Sequence, residues 1–122
     1  MVRIFKDEEF ARRARKARLT NGVLRSAVEA AEAGIVAAHL GGDLIKLRIP
    51  RPGGGKSGGY RTILAYRRGD RAFYIYVFAK NVLESIDAVE LTDLKDYAKI
   101  LMNLNEDQIA VALRTGELEE IE

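Results

Sequence analysis

Residues 60–80 read YRTILAYRRGDRAFYIYVFAK, a stretch that predicts the centre of a β-sheet. Two runs rich in aromatic and β-branched residues, 60–67 and 71–80, flank Gly69 and Asp70. Such runs are typical of strands. Glycine at the first position of a two-residue loop favours a type II′ turn, whose twist suits a β-hairpin. We therefore expect two antiparallel strands joined at Gly69 and Asp70.

The register of this hairpin determines which side chains share a face of the sheet. A two-residue loop at these positions pairs Arg61 with Phe78. Lys80 then lies diagonal to Arg61 on the same face, about 7–8 Å away, and Tyr74 and Tyr76 belong to that face as well. A slip of one residue would separate the two cations, so the expectation depends on the turn.

A third strand is predicted upstream, over Leu44–Ile49. Its apolar residues alternate with Lys46 and Arg48, so both cations are expected on one face of the strand. Residues 44–69 contain no Asp or Glu, whereas an ordinary solvated face usually mixes charges of both signs. The pattern favours a surface for an anionic partner, and a solvated sheet face is the alternative.

The segment between these strands, residues 50–59, reads PRPGGGKSGG and predicts a loop. One interpretation is a flexible connection between two strands. The other is a basic loop, with Arg51 and Lys56, that closes on a polyanion, because its glycines leave backbone N–H groups free to approach phosphates. The Gly-Lys-Ser sequence is similar to the end of a nucleotide-binding P-loop. Pro50 stands where that motif has its first glycine, and a strand follows instead of a helix, which argues against nucleotide binding.

Helices are predicted before and after these strands in the sequence. Val2–Phe5 is expected to form a short strand, and the segments near both ends of the chain repeat apolar residues at helical spacing. In the first half of the chain, helices are expected to begin after Asp7 and after Thr20 or Asn21, and the second of them to end at Gly34. In the second half, helices are expected to begin at the capping box of Asp87 and Glu90 and at Asn105, and the last to end at Gly116. The combination predicts an α+β fold.

Composition narrows the class of protein further. The chain has 122 residues, which fits one domain over residues 1–122. It has no cysteine and a single histidine, His39, so disulfides, thiolate sites and two-histidine metal sites are excluded. We expect neither a metal nor a cofactor. No signal peptide and no apolar run of about 18 residues is present, so we expect a cytoplasmic protein without a membrane segment.

The formal net charge of +2 is an average over two unlike parts. Residues 1–80 hold 17 Lys and Arg against 7 Asp and Glu, whereas residues 81–122 hold 3 against 11. A basic body with an acidic end indicates an anionic partner for the body. Four strand cations beside two tyrosines would suit phosphates and stacked bases, namely Lys46, Arg48, Arg61 and Lys80 with Tyr74 and Tyr76.

Three stretches carry a family resemblance: LGGDLIKLR at 40–48, RPGGGKSGGYRT at 51–62 and FAKN at 78–81. Together they resemble the RelE/ParE superfamily of type II toxins, and most closely the RelE-like branch with a Gly-Lys-Ser-Gly-Gly-Tyr-Arg signature. The resemblance implies N-terminal helices packed on a small antiparallel sheet, with C-terminal helices. It also implies an mRNA interferase that cuts mRNA at the ribosome and is held inactive by a cognate antitoxin, often a helix-turn-helix DNA-binding protein.

The resemblance also implies roles for individual residues. By position, Arg61 matches the arginine that serves cleavage in active members, and Lys46 and Arg48 match the basic strand before the loop. Lys80 matches the basic residue that ends the last long strand. Some members use a tyrosine near the C-terminus as a catalytic group. After Lys80 this chain has one tyrosine, Tyr97, at mid-helix, and it matches no family position, so the general base and acid stay open.

These roles suggest a metal-independent cleavage in which the RNA 2′-OH attacks the adjacent phosphorus. Arg61 would clamp the scissile phosphate, because its planar fork binds two oxygens. Lys80 or Lys46 would assist charge stabilisation or proton transfer. Flanking phosphates would be held by Arg48, Arg51 and Lys56, and a base would stack on Tyr74 or Tyr76.

Two other functions remain open at the level of sequence. One is ParE-like poisoning of DNA gyrase, an activity of the same superfamily on a different target. The other is a module that binds RNA or protein without catalysis, such as a degenerate toxin. Growth arrest on expression, with cut messages or with broken DNA, would distinguish them.

Overall fold

The computed structural model describes residues 2–50, 59–79 and 88–122. Within these residues six strands and four helices follow one another along the chain. Their bounds are β1 Arg3–Asp7, α1 Glu8–Ala17, α2 Asn21–Glu32, β2 Ala38–Gly41, β3 Leu44–Ile49, β4 Tyr60–Arg67, β5 Arg71–Ala79, α3 Ala88–Met102, α4 Glu106–Thr115 and β6 Leu118–Ile121. No helix among the described residues is both long enough and apolar enough to cross a membrane.

The six strands form one sheet in the order β2-β3-β4-β5-β1-β6. Helices α1 and α2 pack on one face of it, and α3 and α4 pack on the other. The α+β class is therefore confirmed. The sheet is larger than the sequence predicts, because β2 and β6 add one strand at each edge. It is also not purely antiparallel, since β1 runs parallel to β5.

Side-chain caps set the helix boundaries largely where the sequence predicts them. Asp7 Oδ1 accepts the Phe10 N–H at 2.8 Å, and Thr20 Oγ1 accepts the Val23 N–H at 3.3 Å. Thr20 is thus the N-cap of α2, and Asn21 has another function, because its Oδ1 accepts from Lys6 Nζ at 2.8 Å. The predicted box around Asp87 lies outside the described residues.

In the β4–β5 hairpin Arg61 pairs with Phe78, as predicted, but the loop and the register before this pair differ from the prediction. The expected two-residue turn is wrong: Arg67 pairs with Arg71, which leaves a three-residue loop with Gly69 at a φ of 72°. One extra residue, Ile75, then bulges from β5 and restores the predicted register beyond it.

The bulge changes which face the tyrosines occupy. Strand parity alone puts Tyr74 and Tyr76 on the same side, but one inserted residue moves Tyr74 to the opposite side. Tyr74 belongs to the core under α1 and α2, whereas Tyr76 packs against the core under α3 and α4. The expectation that Tyr74 shares a face with Arg61 is therefore wrong.

Glu32, at the end of α2, forms hydrogen bonds that connect this helix to β4 and to the β4–β5 loop. Its carboxylate accepts a hydrogen bond from the Tyr66 hydroxyl and another from the Gly69 N–H, at 3.0 Å. The Tyr66 bond, and then the Gly69 bond, hold the pKa of Glu32 below its ordinary value of 4.5. A carboxylate with a lowered pKa stabilises the fold above the pKa it has when unfolded.

We expect Glu32→Gln to lower the free energy of unfolding at pH 7 by about 1 kcal/mol. This value is the usual contribution of a hydrogen bond to a charged group, reduced because the carboxylate is exposed to solvent. The difference from wild type should shrink as pH falls through and below 4.5. Urea titrations between about pH 3 and 7 measure it. Glu29→Gln, an exposed change on the same helix, is the control, and a pH-independent difference for Glu32→Gln would contradict the carboxylate's role.

Candidate functional site

Arg48 on β3 and Arg61 on β4 are direct partners across two neighbouring strands. Side chains at such positions lie about 5 Å apart, and like charges placed there destabilise a sheet. Neither arginine has an ion pair or a side-chain hydrogen bond within the described residues. The Nη1 atom of Arg61 is buried and lacks a hydrogen-bond partner there. The pair therefore has the geometry of a site that an anion would complete.

Lys46 extends this pair into a larger positive surface. It lies opposite Ile63, which in turn lies opposite Tyr76, so Lys46 and Tyr76 share the side of the sheet that carries Arg48 and Arg61. We call Lys46, Arg48 and Arg61 the cationic face. The described parts of β3, β4 and β5 contain no carboxylate that could neutralise it.

Arginines at the opposite ends of these strands are neutralised, in contrast to the cationic face. Arg67 pairs with Asp43 at 2.9 Å, and Arg71 pairs with Glu106 at 3.2 Å. Arg3 contacts Glu106 at 2.7 Å. Arg3, Arg67 and Arg71 thus have carboxylate partners, whereas the three residues of the cationic face have none within the described residues.

Tyr76 lies beside the cationic face, half-buried, with its ring centroid 5.7 Å from that of Phe78. Burial and a hydrogen bond to Glu90 raise the pKa of Tyr76, so its hydroxyl keeps its proton at neutral pH. The side chain also lines a hollow of about 310 Å³ together with Arg13 and Tyr60. A hollow lined by aromatic side chains and the cation Arg13 could receive a nucleobase.

Tyr74 does not belong to this surface. It is fully buried, its ring stacks on Phe10 with centroids 4.9 Å apart, and its hydroxyl donates to the Leu24 carbonyl oxygen at 2.8 Å. The prediction that Tyr74 stacks a base is therefore wrong, and its physical reason is the Ile75 bulge.

Three of the predicted site residues, Arg51, Lys56 and Lys80, lie outside the described residues. His39 is exposed on β2, opposite Ile45. Tyr97 is engaged elsewhere, because its hydroxyl donates to Asp7 Oδ2 at 3.0 Å where α3 meets β1.

Sequence reasoning missed two neighbours of Tyr76. These are Glu90, which the sequence predicts at a helix boundary, and Arg13 on α1. Both reach Tyr76 only because α3 and α1 meet the end of β5 from opposite sides of the sheet. No spacing within a single helix indicates such a meeting, so the sequence held no signal for it.

A family model described as the RelE toxin of the RelE / RelB toxin-antitoxin system matches residues 2–121. A search of curated proteins found no match to the chain.

Proposed function

The chain belongs to the RelE toxin family, whose members are type II toxins that pair with an antitoxin, and on that premise we propose that it is an mRNA interferase. In this proposal it cuts messenger RNA, at the ribosome, by attack of the RNA's own 2′-OH. The family match covers nearly the whole chain and supports the toxin class. The absence of ion-pair partners for the cationic face within the described residues supports the finer proposal of RNA cleavage.

The observation that carries the proposal is the unpartnered pair Arg48 and Arg61. Two guanidinium groups opposite one another repel, and a buried Nη1 without a partner costs free energy. Phosphodiesters of an RNA strand bound at this pair would relieve both costs, because their oxygens accept from several N–H groups at once. RNA supplies such groups at regular spacing, so the flanking cations would bind neighbouring phosphates.

The chemistry needs little beyond such a surface. The 2′-OH is a nucleophile that the substrate carries itself, so the protein must hold it in line with the phosphorus. It must also stabilise the negative charge that grows on the phosphorane and move two protons. In the proposed mechanism Arg61 clamps the scissile phosphate, and the charge on its fork strengthens the contact as the phosphorane forms.

The remaining roles follow from position. Lys46, on the cationic face, and Lys80, outside the described residues, are the proposed groups for charge stabilisation or proton transfer. Arg48 would hold a flanking phosphate with Arg51 and Lys56. A base would enter the hollow beside Tyr76. Because the pKa of Tyr76 is raised, this hydroxyl is a poor general base, and we assign it stacking.

Induced expression without the antitoxin tests the proposal. Growth should stop, and mapping of transcript ends should show new cuts within coding regions. DNA breaks with intact transcripts would instead indicate a gyrase poison, and unimpaired growth would indicate a module without toxic activity.

Salt dependence gives a separate prediction for Arg48. Binding to a single-stranded RNA oligonucleotide should weaken with salt, because each phosphate contact releases counterions. Arg48→Ala should reduce the slope of log K against log salt by about 0.7, the value of one phosphate contact on a single strand. Fluorescence anisotropy across a salt series measures the slope. Arg67→Ala, which removes a cation already paired with Asp43, should leave the slope unchanged.

A further inference from the structure

Helices α3 and α4 leave an apolar groove between them, of about 460 Å³. Ile100 on α3 is 62% exposed and Val111 on α4 is 46% exposed, although both are large apolar residues. They are two of the four such residues that the described part of the chain exposes. Between them the groove wall includes Tyr97, Leu101, Leu104 and Ala112. An apolar surface of this kind indicates a binding site.

Negative charge rims the groove. Asp107 and Glu117, its two charged lining residues, form no ion pair within the described residues. At Tyr97 and Glu117 the groove adjoins a second pocket, of about 340 Å³, whose other lining residues are Asp7, Glu8 and Glu9. No group of His, Cys, Asp and Glu in the described residues is arranged to hold a metal ion. Basic side chains of a partner would carry the charge complementary to these carboxylates.

We propose that this groove binds an amphipathic helix of the antitoxin, with apolar side chains against Ile100 and Val111. Lysine or arginine at one end of that helix would reach the carboxylates of Glu117 and of Glu8 in the adjoining pocket, since Glu9 already pairs with Arg12 and Arg13. The inference rests on the proposed function, because the toxin-antitoxin pairing supplies the partner. A helix suits the groove because its residues three and four apart form one continuous apolar stripe.

Charge argues against the other occupants. RNA carries phosphates, which Asp107 and Glu117 would repel. A second copy of the chain would bring the same acidic rim against this one, since a twofold interface joins identical patches. The basic helix α1 of a second copy does not fit either, because its apolar residues Phe10 and Ala14 are already buried in their own core.

The groove shares no residue with the cationic face, so binding of the antitoxin and toxicity should be separable by mutation. The test co-expresses the full chain with the product of the small reading frame next to its own, where an antitoxin would be encoded. Val111→Asp and Ile100→Asp each place a charge on the groove. Both variants should still arrest growth when expressed alone, and co-expression should no longer restore growth.

Affinity is measured with purified protein by calorimetry, in an Arg61→Ala background that we expect to be non-toxic. Val111→Asp should weaken binding about 30-fold or more, as for an interface hot spot. Asp107→Asn with Glu117→Gln should weaken it about tenfold and reduce its salt dependence. The control is Ile35→Asp, which makes the same change at a residue that is 69% exposed outside the groove and should bind normally.

The two proposals fail in different ways. Wild-type chain that does not arrest growth overturns the proposed function, whatever binds. Growth arrest that the antitoxin still relieves in Val111→Asp and Ile100→Asp, at unchanged affinity, overturns the docking site. An equal loss of antitoxin affinity in Ile35→Asp overturns the docking site as well. The docking site is also overturned if the wild-type chain forms no complex with the antitoxin, or if it self-associates through Val111.

Discussion

Arg61→Ala is expected to abolish growth arrest and to slow RNA cleavage by about 10²–10³-fold, the loss seen when one donor to a developing charge is removed. The side chain lies opposite Arg48 and has a buried Nη1 without a partner in the described structure. It serves no ion pair of the fold there, so its removal should not lower the free energy of unfolding. Cleavage of a reporter message and thermal unfolding of the purified variant are the two measurements.

Two further variants make this result specific. Arg67→Ala removes an arginine from the same strand and the same face, but one that is paired with Asp43, and it should leave cleavage intact. Arg61→Lys keeps the charge and loses the planar fork, so we expect only partial activity. Full toxicity of Arg61→Ala, or an equal loss in Arg67→Ala, would contradict the assignment of the phosphate clamp.

Tyr74→Ala is expected to lower the free energy of unfolding by about 3–5 kcal/mol, the usual cost of deleting a buried ring. Tyr74 is fully buried against Phe10, and its hydroxyl donates to the Leu24 carbonyl. Tyr74→Phe keeps the ring and loses only that bond, so it should cost about 0.5–1.5 kcal/mol. Urea unfolding of both variants measures these differences.

A substitution of Tyr76 distinguishes its expected role in RNA binding from the structural role of Tyr74. Tyr74→Phe should cut RNA as wild type does, because this residue lies on the far side of the sheet from Arg61. Tyr76→Ala should weaken RNA binding by about 1–3 kcal/mol, the contribution of one stacked base. Loss of cleavage in Tyr74→Phe at unchanged stability would show that the Ile75 bulge is misassigned.

Local features of the fold were predictable because they depend on short-range chemistry. The caps at Asp7 and Asn105, the turn glycine at Gly116 and the alternation along Leu44–Ile49 all involve residues a few positions apart. The structure confirms each of them. The parallel pairing of β1 with β5 joins residues about 68 apart, such as Arg3 and Arg71, and no local pattern encodes it.

The bulge at Ile75 shows where strand parity stops being informative. Ile75 lies among aromatic and β-branched residues typical of a strand, and no glycine nearby indicates an irregularity. The predicted pairing of Arg61 with Phe78 was right because the three-residue loop and the bulge compensate each other. Tyr74, which lies between loop and bulge, was therefore the residue assigned to the wrong face.

The candidate site was partly predictable for a similar reason. Alternation put Lys46 and Arg48 on one face of β3, but the pairing of Arg48 with Arg61 depends on how β3 and β4 align. That alignment spans residues 50–59, whose length does not determine a register. The missing carboxylate partners could be recognised only once the ion pairs of Arg67 and Arg71 were visible beside them.

The chemical nature of the RNA ends tests the proposed mechanism. Purified chain is added to ribosomes paused on a defined message, and the fragments are analysed by mass spectrometry. Attack by the 2′-OH predicts a 2′,3′-cyclic phosphate on one fragment and a 5′-hydroxyl on the other, with neither product formed by Arg61→Ala. Fragments ending in a 3′-hydroxyl and a 5′-phosphate, or uncut RNA with wild-type chain that arrests growth, would contradict it.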